Sequence, residues 1–177
     1  SRFINSIYKM GINKPLGLEI KGEASPYIKS PEDKTWSKLS LPWMSIGYEL
    51  SMTPMQVLTF YNAVANNGKM VKPTFVKELR KTGSVKKEFK SQVINPQISS
   101  LETIKMVQKM LEGVVQHGTA SSLKNSPYPI AGKTGTAQIY TKQYNKRNYQ
   151  ASFVGYFPAD NPKYSCIVVV NNPNRGL

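Results

Sequence analysis

At 177 residues the chain amounts to one domain or part of one, and its 40% of hydrophobic residues suffice for a core. A single Cys and a single His exclude a disulfide framework and a His/Cys metal cluster, and no segment is apolar for long enough to span a membrane. The net charge of +14 raises nucleic acid, anionic lipid or another polyanion as partners, yet the basic residues spread along the chain without forming one stripe.

In chain order, Arg2 to Met10 reads as the end of a helix, stopped by Gly11. The stretch from Gly17 to Trp36 is loop-rich, with Pro26 and Pro31 breaking any regular run. Thr53 caps a helix with Pro54 at its first position, and Gly68 lies just past its end. Its apolar residues Met55, Val57, Leu58, Tyr61, Val64 and Ala65 have mostly helical spacing and belong to the core. Val76 to Arg80 and Val85 to Phe89 alternate apolar and charged residues, so Thr82-Gly83 reads as a hairpin tip, with Gly83 supplying a positive φ. Ser99 and Glu102 form a capping box for a second helix that carries Leu101, Ile104, Val107, Met110, Leu111, Val114 and Val115. Gly118 ends it, and His117 beside that glycine fits a helix C-terminus through the dipole. A one-turn helix begins near Thr119.

Three strands follow, at about Ile130 to Tyr140, Tyr149 to Phe157 and Tyr164 to Asn171, and short connections make them an antiparallel meander. The run Cys166 to Val170 is continuously apolar, which predicts a strand covered on both faces with Cys166 buried in it. The densest basic runs, Lys86-Lys87 and Lys142 to Arg147, fall in predicted hairpins. Tyr140, Tyr144 and Tyr149 interleave with Lys142, Lys146 and Arg147, a pattern able to stack on bases, but no nucleic-acid fold signature accompanies it. The run is read as a solvated loop, and nucleic acid is not an expected partner.

Chemistry concentrates in Ala131-Gly132-Lys133-Thr134-Gly135-Thr136-Ala137, which places a cation, two hydroxyls and a bare backbone within four residues. On a strand Lys133 and Gly135 point one way, Thr134 and Thr136 the other. Gly135 leaves room for a ligand against the main chain. An edge strand of this kind holds a peptide-like substrate by strand addition while the lysine and threonines bind a carboxylate. Lys81-Thr82-Gly83 repeats the three letters, but there they form the tip of the predicted hairpin.

Around this run, several blocks occur in a fixed order. Gly22-Glu23-Ala24-Ser25, Trp36, Ser45 to Gln56 and Asn62 to Gly68 come first. His117-Gly118-Thr119-Ala120, Ala131 to Gln138 and Ser152 to Ala159 follow. The series resembles the transpeptidase domain of class B penicillin-binding proteins, which cross-link peptidoglycan, over nearly the whole chain. The stretch Ser45-Ile46-Gly47-Tyr48 through Gln56 is most similar to the cell-division members. The resemblance implies an α/β (α+β) fold of the penicillin-binding transpeptidase and serine β-lactamase type. Within this chain that means a helical segment followed by a three-stranded meander. Two further strands before residue 1 and a closing helix after Leu177 would complete the sheet and its cover. On this expectation residues 1–177 are a partial transpeptidase domain, and its anchoring segment lies outside the chain on the extracytoplasmic face of the bacterial inner membrane.

Such enzymes use an S-x-x-K nucleophile motif and an S-x-N motif, both N-terminal to everything seen here. No S-x-N occurs, and the three S-x-x-K tetrads, starting at Ser6, Ser84 and Ser121, fall in a helix, after a hairpin tip and in a one-turn helix. No nucleophile is therefore assigned within the chain. The resemblance implies acyl transfer on the D-Ala-D-Ala end of a stem peptide through an acyl-serine. Lys133 would supply positive potential, and Thr134 and Thr136 hydroxyls would bind the substrate carboxylate. Gly135 would permit close approach, and the Thr136 N–H would be one of two oxyanion donors, a group whose loss costs about 2.7–4 kcal/mol. β-Lactams would enter as mimics of the same dipeptide. No metal or organic cofactor is implied, and a membrane glycosyltransferase and divisome proteins are the implied protein partners. Two other readings stay open: a serine β-lactamase or D,D-carboxypeptidase relative, and a non-catalytic, polyanion-binding module on the same fold.

Overall fold

The computed structural model describes residues 1–139 and 148–173. The first elements in chain order are α1 (Arg2–Met10), β1 (Tyr27–Ile28), α2 (Ser40–Ser45), β2 (Leu50–Ser51) and α3 (Pro54–Ala65). Then come β3 (Met70–Val71), β4 (Glu78–Lys81), β5 (Ser84–Glu88), β6 (Val93–Asn95) and α4 (Leu101–Gln116). A 3-10 turn (Ser121–Leu123) leads to β7 (Ala131–Ile139), β8 (Asn148–Phe157) and β9 (Tyr164–Asn171). The strands pair antiparallel as β1-β2, β3-β6, β4-β5 and β7-β8-β9. Two compact units result, residues 1–60 with 69–99, and residues 61–68 with 100–177.

In the first unit, α1 turns Ile4 and Ile7 inward against Met44 of α2, with Ile12, Ile28 and Trp36 packed on them. Gly11 ends α1 in the left-handed region at φ 84°, its N–H donating to the Tyr8 carbonyl, as its sequence position predicts. Thr53 and Gln56 close a capping box on α3. The Thr53 N–H donates to Gln56 Oε1 at 2.8 Å, and the Gln56 N–H donates to Thr53 Oγ1 at 3.2 Å. Gln56 is buried, and its Nε2 donates to Glu23 Oε1 at 3.2 Å and to the Ala24 carbonyl at 3.0 Å. Glu23 in turn accepts the Leu16 and Leu18 amides at 2.6 and 3.0 Å. Burial pushes the Glu23 carboxyl up, but the Leu18 and Leu16 amides and the Gln56 amide outweigh it and leave the group below the ordinary carboxylate range. The Gly22–Ser25 and Ser45–Gln56 blocks are thus tied together by one buried glutamine.

The hairpin β4-β5 forms as its alternation predicts, but Thr82 as well as Gly83 takes a positive φ, 51° and 81°. Left-handed geometry at both central residues matches the twist of the flanking strands. The short pairs β1-β2 and β3-β6 and the helix α2 were not read from the sequence.

In the second unit, α4 buries Ile104, Leu111 and Val115 and lies against β7. Its cap is Ser100, whose hydroxyl accepts the Thr103 N–H at 3.2 Å. The predicted box of Ser99 and Glu102 is therefore displaced by one residue. Two adjacent serines offer the same hydroxyl, and the extended backbone of Ser100 (φ −57°, ψ 148°) is what aims it at the third helical amide. His117 is the C-terminal cap, and its N–H donates to the Gly113 carbonyl.

The three strands match the predicted meander. Tyr140 and the basic run Lys142 to Arg147 with Tyr144 lie outside the described residues. Ala131, Val154, Tyr156 and Ala159 are buried in the unit. The Tyr156 hydroxyl is buried with no hydrogen-bond partner among the described residues, and burial, reinforced by Glu112, pushes it up to about 12.

β9 corrects the sequence reading. Among the described residues it is an edge strand, Tyr164, Val168 and Val170 are exposed, and so is Cys166. Ser165, Ile167 and Val169 are the half-buried set. Alternation divides a continuous apolar run between two faces, and among the described residues one face is left open.

Candidate active site

Among the described residues β7 forms one edge of its sheet, with β8 on its other side. The Asn172 N–H donates to the Tyr149 carbonyl, so residues of β8 in phase with Tyr149 turn their main chain toward β9. Ser152 and Val154 are out of that phase and bond toward β7, where their partners are Gly135 and Lys133. It follows that Thr134 and Thr136 present their N–H and C=O groups to the open edge. The Thr134 carbonyl accepts from Lys133 Nζ at 2.9 Å, in keeping with that direction.

Lys133 and Thr134 start on opposite faces of the strand, as predicted. The lysine nonetheless curls round the edge, so that Nζ also comes to 3.4 Å from Thr134 Oγ1. Lys133 and Thr136 are exposed, and Thr134 and Gly135 are half-buried. The four predicted site residues therefore share one strand edge, with an ammonium, two hydroxyls and two outward amides along it.

Gly135 has a neighbour that the sequence reading missed. A Cβ there would lie 2.6 Å from Ser152 Oγ, and the Ser152 hydroxyl donates to the Gly135 carbonyl at 3.5 Å. The space left by the glycine is thus shared with a serine on its own face of the sheet. Gly132 faces Gly155 across the ladder, and a Cβ there would come within 2.6 Å of the Val154 carbonyl oxygen. That glycine is required by strand approach.

Thr119 was also missed. Its Oγ1 lies 2.7 Å from Thr134 Oγ1. The turn that carries it is fixed from beneath. The Gly118 and Ala120 amides both donate to the Val114 carbonyl at 3.1 Å, and Ala120 is buried. A Cβ on Gly118 would lie 2.9 Å from Val114 Cα and from its carbonyl oxygen, so only glycine fits. The signal was the His117-Gly118-Thr119-Ala120 block, which was legible as a resemblance but not as a contact.

The three S-x-x-K tetrads keep their structural readings. Ser6 lies in α1 and donates to the Arg2 carbonyl at 2.9 Å, Ser84 opens β5, and Ser121 opens the 3-10 turn. Lys81 sits at the end of β4 beside the hairpin tip. Among the described residues no three His, Cys, Asp or Glu side chains gather as a metal-ligand set, and no helix is long and apolar enough to cross a membrane.

The family described as penicillin binding protein transpeptidase domain matches residues 1–177. Penicillin-binding protein PbpB of Mycolicibacterium smegmatis is 32% identical over 185 residues, covering 98% of this chain and 28% of that protein. Stage V sporulation protein D of Bacillus subtilis is 32% identical over 173 residues, covering 94% of this chain and 26% of that protein. The crystal structure of penicillin binding protein 3 from Mycobacterium tuberculosis, complexed with ampicillin, superposes with a TM-score of 0.84 at 31% identity, covering 98% of this chain and 40% of that one. The chain spans less than a third of the length of these curated relatives.

Proposed function

The chain belongs to the penicillin-binding protein transpeptidase family, and on that premise we propose that it forms the C-terminal part of the transpeptidase domain of a cell-division-type peptidoglycan D,D-transpeptidase. It carries the strand that receives the substrate, and the serine nucleophile belongs to a preceding segment. The observation that carries this reading is the open edge of β7, where Lys133, Thr134 and Thr136 sit beside outward-turned amides. A stem peptide ending in D-Ala-D-Ala adds to that edge as a strand. Lys133 and the two threonine hydroxyls bind its carboxylate, and the Thr136 N–H receives the oxyanion as the serine attacks. D-Ala then leaves, and an amine of a neighbouring stem resolves the acyl-serine, so that one hard displacement becomes two easier ones.

β-Lactams occupy the same edge. The structures of the Mycobacterium tuberculosis protein in complex with aztreonam and with ampicillin support this, since this chain shares its fold at 31% identity. The enzyme works on the extracytoplasmic face of the inner membrane, anchored by a segment outside the chain, alongside a membrane glycosyltransferase and divisome proteins.

The test is acylation of the full-length protein by a reporter penicillin, read by intact mass. Lys133→Ala and Thr136→Pro are expected to abolish the adduct, and Lys81→Ala to leave it. The isolated 19.8 kDa chain is expected to take up none. Equal loss from Lys81→Ala, or a stoichiometric adduct on the isolated chain, would overturn the assignment.

A further inference from the structure

We propose that Thr119 is a positioning residue that aims the Thr134 hydroxyl proton at the substrate carboxylate and so makes the site selective for an anionic end group. The inference rests on the β7 edge being the carboxylate site, and it begins with a count of protons. Among the described residues Thr134 Oγ1 has two close neighbours, Lys133 Nζ at 3.4 Å and Thr119 Oγ1 at 2.7 Å. An ammonium only donates, so the lysine uses one lone pair of the threonine oxygen. The short contact to Thr119 can run in either direction. Where Thr134 donates, its one proton is directed away from the ligand. Where Thr119 donates, the Thr134 proton is free to point along the edge.

A carboxylate only accepts, so its arrival selects the second arrangement. The outcome is a short relay in which Thr119 donates to Thr134 and Thr134 donates to the ligand. Two donors in line polarise each other, and a hydrogen bond to a charged acceptor is stronger than one to a neutral acceptor. The relay depends on Thr119 staying in place without the ligand. Its turn supplies that, because the Gly118 and Ala120 amides share the Val114 carbonyl and Ala120 is buried. Nothing in this anchoring uses the Thr119 side chain, so Thr119→Val removes the hydroxyl and leaves the turn.

The experiment compares Thr119→Val and Thr119→Ser in the full-length protein, using benzylpenicillin and its methyl ester as probes. Thr119→Val is expected to lower the second-order rate constant for benzylpenicillin by about tenfold, the size expected for misdirecting one hydrogen bond to a charged group. The ester, which has no anion to orient, should change much less, and Thr119→Ser should restore the wild-type ratio of the two constants. An unchanged ratio in Thr119→Val would overturn the proposal, whether both constants stay put or both fall together. Lys133→Ala separates the two levels of argument. If it leaves acylation intact, the β7 site itself is wrong. If it abolishes acylation while Thr119→Val keeps the wild-type ratio, only the relay is wrong.

Discussion

Gly132 and Gly135 stand three residues apart on one strand, and the structure predicts opposite fates for alanine at each. A Cβ on Gly132 would lie 2.5 Å from Phe153 Cζ, 2.6 Å from the Val154 carbonyl oxygen and 3.0 Å from Gly155 Cα. Two of those atoms are main chain, so relief requires β7 and β8 to part. Among the described residues a Cβ on Gly135 would meet Ser152 Oγ alone within 4 Å. That hydroxyl can rotate away, giving up a bond of 3.5 Å to the Gly135 carbonyl. Overpacking costs about 1–3 kcal/mol, and removing a glycine returns about 0.4–1 kcal/mol through the unfolded chain. Gly135→Ala should therefore be near neutral to about 1 kcal/mol destabilising, and Gly132→Ala should reach about 3 kcal/mol or more. Each kcal/mol moves Tm by about 2–4 °C in a domain of about 150–250 residues and by less in a larger one, so Gly132→Ala in the full-length protein should melt a few degrees low. Thermal unfolding of the full-length variants reads the difference, and Ser152→Ala supplies the control. The Gly135→Ala/Ser152→Ala pair should melt with Ser152→Ala alone, because the close neighbour, the Ser152 hydroxyl, has gone. Any acylation deficit that persists in the pair then belongs to the ligand. A Gly132→Ala protein melting together with wild type and Gly135→Ala would refute the reasoning, as it would require the strands to absorb a main-chain clash at no cost.

Gln56→Ala should cost about 1–3 kcal/mol in urea unfolding, combining half of a helix capping box with the lost bonds to Glu23 and the Ala24 carbonyl; a loss below about 0.5 kcal/mol would show that water replaces them. Glu23 should make its loop acid-sensitive. Its folded carboxyl is held below its unfolded value, so its contribution is present above the ordinary carboxylate range and is lost as pH falls through the lowered folded value. Amide exchange at Leu16 and Leu18 should accelerate across that window in the native protein and not in Glu23→Gln; matching profiles would remove Glu23 as the cause.

Helix ends and turns were legible because they depend on neighbours in sequence. Thr53, Pro54, Gly11 and the Thr82-Gly83 tip each act within four residues, and the structure keeps all of them. The shift from Ser99 to Ser100 shows the resolution of such signals, since tandem serines differ only in backbone direction. Contacts between distant residues were beyond it. Gln56 touching Glu23, Ser152 touching Gly135 and Thr119 touching Thr134 all appeared as letters in matching blocks, with no period to reveal what they touch. β9 failed for a related reason. Apolar composition reports what a strand can bury, whereas exposure depends on which layers reach each face. Tyr164, Val168 and Val170 lie on a face that the described residues leave open.

The two K-T-G tripeptides show why a motif is informative only through the backbone it occupies. At Lys81 the threonine and glycine both turn into the left-handed region, and Lys81 pairs with Ser84 across the tip. The main chain folds back on itself there and offers a ligand no continuous edge. At Lys133 the same three residues stay extended, β8 takes every second main-chain group, and the intervening groups of Thr134 and Thr136 face outward. A fourth residue with a hydroxyl and a fifth with a small side chain prolong that edge, whereas Ser84 at the tip already belongs to the returning strand. Binding an extended peptide requires unpaired amides at two-residue spacing with a cation alongside. Identical side chains meet that requirement in one setting and fail it in the other because the backbone, extended at Lys133 and turned at Thr82-Gly83, decides whether an open edge runs past them.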